Sequence, residues 1–231
     1  MAEQTVGQVH FSEVDIPTAE VDHREAVTGG LAASVRELVD ATIRTTVDDD
    51  EIAAVRAELD LLTARLRTAQ IPGPAGVRYN REGRSWGWGN AVIGQRNAIA
   101  PPLVIVHADD AETAHAEVTL GAAYEGPPGM VHGGVSALLM DQVMGETASQ
   151  FKRLTMTGTL TLRYLRPLPL GPISIDCRVA NEVGRKVFVE ASIGNADGIA
   201  VEATGVFIIP SWAVMDEETG ETEGWRRSAE G

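Results

Sequence analysis

The chain has 231 residues, 44% hydrophobic and 23% charged, ordinary proportions for a globular protein that can bury a core. Cys177 is the single cysteine, which excludes a disulfide scaffold, and no apolar run reaches the ~20 residues that a bilayer-spanning helix needs. A formal charge of -14 argues against a nucleic-acid partner, whose phosphates it would repel. The acidity sits at the ends. Residues 1–70 carry 14 acids against 6 bases, whereas residues 130–210 carry 7 of each, so an anionic ligand fits the middle wherever a few arginines gather.

In chain order, residues 1–28 are polar, contain Pro17 and read as a weakly ordered arm. From Leu31 to about Val47 the residues Leu31, Val35, Val39 and Ile43 recur every four positions, which predicts an amphipathic helix. Asp48-Asp49-Asp50 supplies an N-cap for a second helix with Ile52, Val55, Leu59, Leu62 and Leu66 on one face, ended by Ile71-Pro72-Gly73-Pro74. The two helices are expected to pack as a hairpin on the main domain or on a second subunit. These segments make residues 1–71 an N-terminal arm and helical extension. Trp86 and Trp88 fall on one side of an extended segment, a spacing suited to capping a core.

After Pro101-Pro102 the period changes. Residues 103–108 and the alternating 114–120 predict a hairpin, a turn rich in Gly and Pro runs from Tyr124 to Met130, and a helix follows from about His132 to Phe151. Four strands close the domain at 156–165, 173–183, 186–195 and 199–209, with Asp197-Gly198 as a hairpin turn. This order predicts an α+β fold, an antiparallel sheet around one long helix, over residues 72–210. Residues 211–231 read as an acidic tail. The beginning of the chain lacks the basic and apolar regions of a signal peptide, so the expected compartment is the cytoplasm.

The chemistry concentrates in residues 124–145. Gly133 and Gly134 at a helix start let a ligand approach free backbone N–H groups, where the dipole favours developing negative charge. That arrangement polarises a carbonyl and stabilises an oxyanion. The helix behind them is apolar nearly all round, through Val135, Leu138, Leu139, Met140, Val143 and Met144, and is expected to be wrapped on most sides. Asp141 sits in its middle, at a cost of several kcal/mol unless it is paired, and such groups cluster at functional sites. His132 and Asp141 are nine residues apart, on opposite sides of the helix and ~13 Å apart along it. They cannot grip one carbonyl from the same helix. If both act on one substrate, two copies must lie antiparallel in a homo-oligomer, at least a dimer, with dimer and tetramer both open.

The span from Gly126-Pro127-Pro128-Gly129 through His132-Gly133-Gly134 to Asp141, followed by Tyr164-Leu165-Arg166-Pro167, resembles the PaaI-like hotdog-fold acyl-CoA thioesterases. The resemblance covers residues 100–210. It implies a hotdog fold and acyl-CoA as substrate, with Asp141 as general base or nucleophile, Gly133 as main oxyanion donor with Gly134 beside it, and His132 as a positioning group. It also implies that Thr157 on the following strand orients the attacking water or the carboxylate; by alternation Thr155 and Thr159 share its face. Many members carry an Asn where this chain has Gly126, a departure shared by the mammalian long-chain acyl-CoA thioesterases. Asn90 is the candidate substitute.

Arg163, Arg166, Arg185 and Lys186 are candidates for the coenzyme A phosphates, because guanidinium forks match phosphate oxygens. His10, His23, His107 and His115 show no zinc spacing, Cys177 has no adjacent base, and no Gly-x-Ser-x-Gly elbow occurs. The expected hydrolysis needs no metal or redox cofactor and involves no membrane span. A non-catalytic acyl-CoA or fatty-acid binding module is the alternative, and a hotdog hydratase or dehydratase a third.

Overall fold

The computed structural model describes residues 11–109, 111–150 and 154–211. The tail beyond residue 211, the first ten residues and His10 lie outside that range.

Strand β1 (Phe11–Glu13) leads into helix α1 (Thr18–Arg44), followed by α2 (Asp49–Arg67) and two short strands, β2 (Val77–Tyr79) and β3 (Ser85–Trp86). β1 pairs in parallel with β2, and β2 antiparallel with β3. Of the segment expected as a loose arm, residues 18–28 are helical, and β1 joins the extension to residues beyond position 71. Two contacts explain why α1 begins thirteen residues earlier than the apolar spacing indicated. The Glu82 carboxylate accepts from the Thr18 N–H at 2.9 Å and caps the helix from outside, and Val21 is fully buried against Trp86 and Trp88. This packing outweighs the poor helix propensity of Gly29 and Gly30. The tryptophans do cap a core, a small one of their own with Val14 and Ile16. Asn80, buried beside it, donates to Ile16 O and accepts from the N–H groups of Glu82 and Arg84.

Asp48 caps α2 as expected, accepting from Glu51 N–H at 2.9 Å. No residue of α2 is buried in the single chain, so α2 does not pack on the main domain.

The main domain contains β4 (Val104–His107), β5 (Thr113–Leu120), a 3-10 turn (Ala122–Tyr124), α3 (Gly133–Ala148), β6 (Met156–Tyr164), β7 (Gly171–Val183), β8 (Lys186–Asn195) and β9 (Gly198–Ile208). The six strands form an antiparallel sheet in the order β4-β5-β7-β8-β9-β6. Its inner face, with Ile175, Val189, Ile193, Ala203 and Phe207, closes on Leu139, Met140, Val143 and Met144 of α3. Aliphatic side chains fill this core, and Phe207 contributes the one large ring among its fully buried members. A Cβ at Gly205 would lie 2.6 Å from the Phe207 ring and one at Gly145 3.3 Å from it, so both glycines make room for that ring. Phe207→Ala should destabilise the domain by about 3–5 kcal/mol in a denaturant titration, with the slope unchanged.

Candidate active site

The α3 helix starts from a tight loop. Gly126 N–H donates to Met130 O and Met130 N–H to Pro127 O, and Gly129 adopts φ +74°, a left-handed conformation that favours glycine. His132 is the N-cap residue, and its Nδ1 accepts from Gly134 N–H at 2.9 Å. That bond makes Nδ1 the unprotonated nitrogen of a neutral ring and leaves Nε2 to carry the proton. It also uses the Gly134 amide within the chain, so Gly134 is not the second free donor that the sequence suggested. The Gly133 N–H, at the first helical position, has no acceptor among the described residues. Tyr164 fixes this turn by donating its hydroxyl to Gly133 O at 2.7 Å.

Gly126 is dictated by packing. A Cβ there would lie 2.7 Å from His132 Cα and 3.0 Å from His132 Cβ, so an Asn side chain cannot occupy the position without displacing the cap. Asn90 is close to the helix but is committed elsewhere. Its Oδ1 accepts from the Val92 and Ile93 N–H groups, and its Nδ2 donates to Gln142 Oε1 at 2.9 Å. A polar row continues along α3, from Gln142 to Glu146 at 3.4 Å and from Glu146 to His107 at 3.4 Å.

Asp141 lies two turns into α3 and accepts from Thr157 Oγ1 at 2.8 Å. Simple alternation would point Thr157 away from the helix, because Leu160, Leu162 and Tyr164 already face it. A β-bulge corrects this. Thr157 pairs with Phe207 and Thr159 with Val206, leaving Gly158 unpaired between them. Phe207 is an inward residue, so Thr157 is one too, and Thr159 falls on the outer face with Val206. Thr155 precedes the strand and bonds Ser149. A Cβ at position 158 would lie 2.6 Å from Ile208 Cδ1 and 3.2 Å from Val206 O, which accounts for glycine at the bulge. The three threonines therefore do not share a face. An isolated glycine inside a strand pattern was the available signal.

The helix is covered on one side only. Ser136, Leu139, Met140, Val143, Met144 and Thr147 are buried, whereas Leu138 is 43% exposed and Asp141 is half-buried in the single chain. The expectation of a helix wrapped on most sides holds for the sheet-facing half alone, because one six-stranded sheet covers one side of a helix. Eight residues separate Gly133 from Asp141, ~12 Å along the axis.

The cations read from the sequence are not gathered at this carboxylate. Arg163 pairs across the sheet with Glu202 and stands on the outer face, 3.8 Å from that carboxylate. Arg166 donates to Asn195 Oδ1 and Gly198 O. Arg185 donates to the carbonyls of Ile209 and Pro210. Lys186 stands opposite Ile208, whose side of β9 faces outward. A concavity of about 750 Å³ also crosses the outer face, opposite Asp141, and is lined by paired charges such as His115 with Asp176 and Arg178 with Glu190.

An antiparallel sheet closed on a central helix, with a carboxylate in mid-helix and an open amide at its start, defines a hotdog domain. Residues 128–202 match the thioesterase superfamily. The crystal structure of a thioesterase superfamily protein is 33% identical, with a TM-score of 0.70, over 78% of this chain and 90% of that one. The chain belongs to the thioesterase superfamily. It is similar to the acyl-coenzyme A thioesterase THEM4 of Xenopus laevis, 41% identical over 91 residues, 38% of this chain and 41% of that protein. The Mus musculus THEM4 is 34% identical over 91 residues, 38% of this chain and 39% of that one. The chain thus matches about two fifths of the length of these relatives.

Cys177 plays no part in the site. It lies on the inner face of β7 at 5% exposure, and burial pushes its thiol up to about 11. A disulfide reagent at pH 8 should leave it unmodified in the native protein and react fully after addition of denaturant.

Proposed function

We propose that the protein hydrolyses an acyl-CoA thioester to the free acid and coenzyme A. The observation that carries this reading is the Asp141–Thr157 pair, an ionisable group aimed at an uncovered and otherwise apolar stripe of the central helix. A carboxylate there becomes costly once a second copy covers the stripe, and ionisable groups in such places cluster at functional sites. The names of the THEM4 relatives support the substrate class.

In the proposed reaction the thioester carbonyl oxygen is held by the Gly133 N–H, which gains strength as the oxygen becomes an anion. Asp141 acts on the carbonyl carbon either by taking a proton from an attacking water or as the nucleophile itself. In the first course the C–S bond breaks as the tetrahedral intermediate collapses, and the thiolate of coenzyme A leaves; in the second the same bond breaks as a mixed anhydride forms on Asp141, which water then hydrolyses to the free acid. Thr157 holds one carboxylate oxygen, which leaves the other to face the substrate. His132 fixes the helix start and presents Nε2–H to the acyl group.

The Gly133 amide and the Asp141 carboxylate of one chain are too far apart to act on one carbonyl. We place the site between two copies, with the α3 helices antiparallel and the exposed Leu138 stripe between them, in a homodimer or a tetramer of such dimers. The lone thiol fits a cytoplasmic enzyme.

The test is thiol release from a panel of acyl-CoA esters of different chain length and of aromatic acids. Asp141→Asn should lower kcat by about 10²–10⁴-fold with the melting temperature nearly unchanged. Thr157→Val should lower it by about tenfold, and deleting Gly158, which turns Thr157 outward, should lower it at least as far. An unchanged kcat in Asp141→Asn, or acyl-CoA binding without thiol release by the wild type, refutes the reading and leaves a binding module.

A further inference from the structure

We propose that the tryptophan knot of the N-terminal extension is an anion site, built around Arg96 and Arg78, that takes the phosphate-bearing end of coenzyme A. The proposal rests on the thioesterase reading for the identity of the ligand, and on geometry for the existence of the site.

The Arg96 guanidinium carbon lies 3.5 Å from the centroid of the Trp88 ring. Stacking uses the face of the guanidinium and leaves its N–H edges directed outward, the disposition that forks onto phosphate oxygens. Trp88 is itself immobile. It is 6% exposed, its ring centroid is 5.5 Å from that of Trp86, and its Nε1–H donates to Glu25 at 2.8 Å. Arg78 is the cross-strand partner of Trp86, so it stands on the same face of the small sheet, and its Nε donates to Ala75 O.

The charges around the knot do not balance. Glu25 at 2.7 Å and Asp22 at 3.4 Å share Arg84, and Glu20 holds Arg24 at 2.6 Å, so three carboxylates face the four guanidiniums of Arg24, Arg78, Arg84 and Arg96. Among the described residues no carboxylate makes an ion pair with Arg78 or Arg96. Burial, then the like charges of Arg24 and Arg78, hold the Arg96 guanidinium below its ordinary value against the opposing pull of Glu25. A cluster with one guanidinium in excess, in which neither Arg78 nor Arg96 makes an ion pair among the described residues, is relieved by an anion.

Position ties this cluster to the reacting carboxylate. Trp88 is two residues, at most ~7 Å of chain, from Asn90, which bonds Gln142, the neighbour of Asp141 on α3. Arg36 and Gly29 of α1 pack on Asn97 and Gln95 of the same loop and hold it against the extension. In coenzyme A the phosphates are set away from the thioester by the pantetheine arm. A ligand with its carbonyl at Asp141 and its phosphates at Arg96 runs along this loop. The extension then has a purpose: it supplies phosphate contacts that Arg166 and Arg185, both committed to groups of the sheet domain, do not.

The experiment uses the full chain and compares an acyl-CoA with the same acyl ester of pantetheine, which lacks the nucleotide and its phosphates. The double variant Arg78→Gln with Arg96→Gln should raise KM for the CoA ester by about 10- to 100-fold, leave kcat within twofold, and leave both constants for the pantetheine ester unchanged. Arg96→Lys, which keeps the charge but not the fork, should fall between. By calorimetry the wild type should bind adenosine 3′,5′-bisphosphate at least tenfold more tightly than inorganic phosphate, and the double variant should lose that preference. Equal KM increases for both esters, or bisphosphate binding that survives in the double variant, overturns the proposal. Failure of the wild type to cleave any thioester would instead strike the proposed activity and leave the calorimetric result to decide the anion site.

Discussion

One hydrogen bond organises the site: the 2.8 Å contact from the Thr157 hydroxyl to the Asp141 carboxylate. It joins the central helix to an edge strand of the sheet, and it exists because a single extra residue, Gly158, interrupts the alternation of β6. Without the bulge, the core-facing positions of that strand would place Thr157 on the outer surface. The glycine is required by Ile208 and the Val206 carbonyl, which crowd the space a side chain would enter. A packing constraint on one strand thus sets the direction of a functional group on another element.

The other end of α3 is built by the same logic. His132 caps the helix with its own ring, Tyr164 holds the first carbonyl, and the Gly133 amide is left without an acceptor. An uncommitted N–H at a helix start is a poor structural outcome and a good oxyanion donor. Strand β6 contributes to both ends, through Thr157 at one and Tyr164 at the other, so it sets the carboxylate and the amide within one rigid frame.

The main domain was legible because its signals are periodic and local. The alternation in β5, the Gly-Pro turn, the apolar helix and the Asp197-Gly198 hairpin each read directly, and the Asp48 cap of α2 was visible as well. Asp141, His132 and Gly133 stood out because each is an odd choice for its place. What remained hidden depended on contacts between distant segments. Val21 extends α1 by meeting the tryptophans, Glu82 caps that helix from a turn more than sixty residues away, and Gly134 loses its free amide to the His132 ring. The face of Thr157 required a bulge that a single glycine only hints at. Of the phosphate-binding candidates chosen for their charge and forked donors, Arg163 and Lys186 face outward and Arg166 and Arg185 bond nearby groups.

The central claim is that Asp141 of one copy and the Gly133 amide of another serve the same carbonyl. Gly133→Pro removes that N–H at the one helical position where proline is welcome, after a residue already in extended conformation. Co-expression of Gly133→Pro chains with Asp141→Asn chains, each inactive as a homo-oligomer, should restore about a quarter of wild-type turnover, from the one intact site in each mixed dimer. Mixed dimers that form and remain inactive would contradict the account and show that the two groups do not serve one carbonyl.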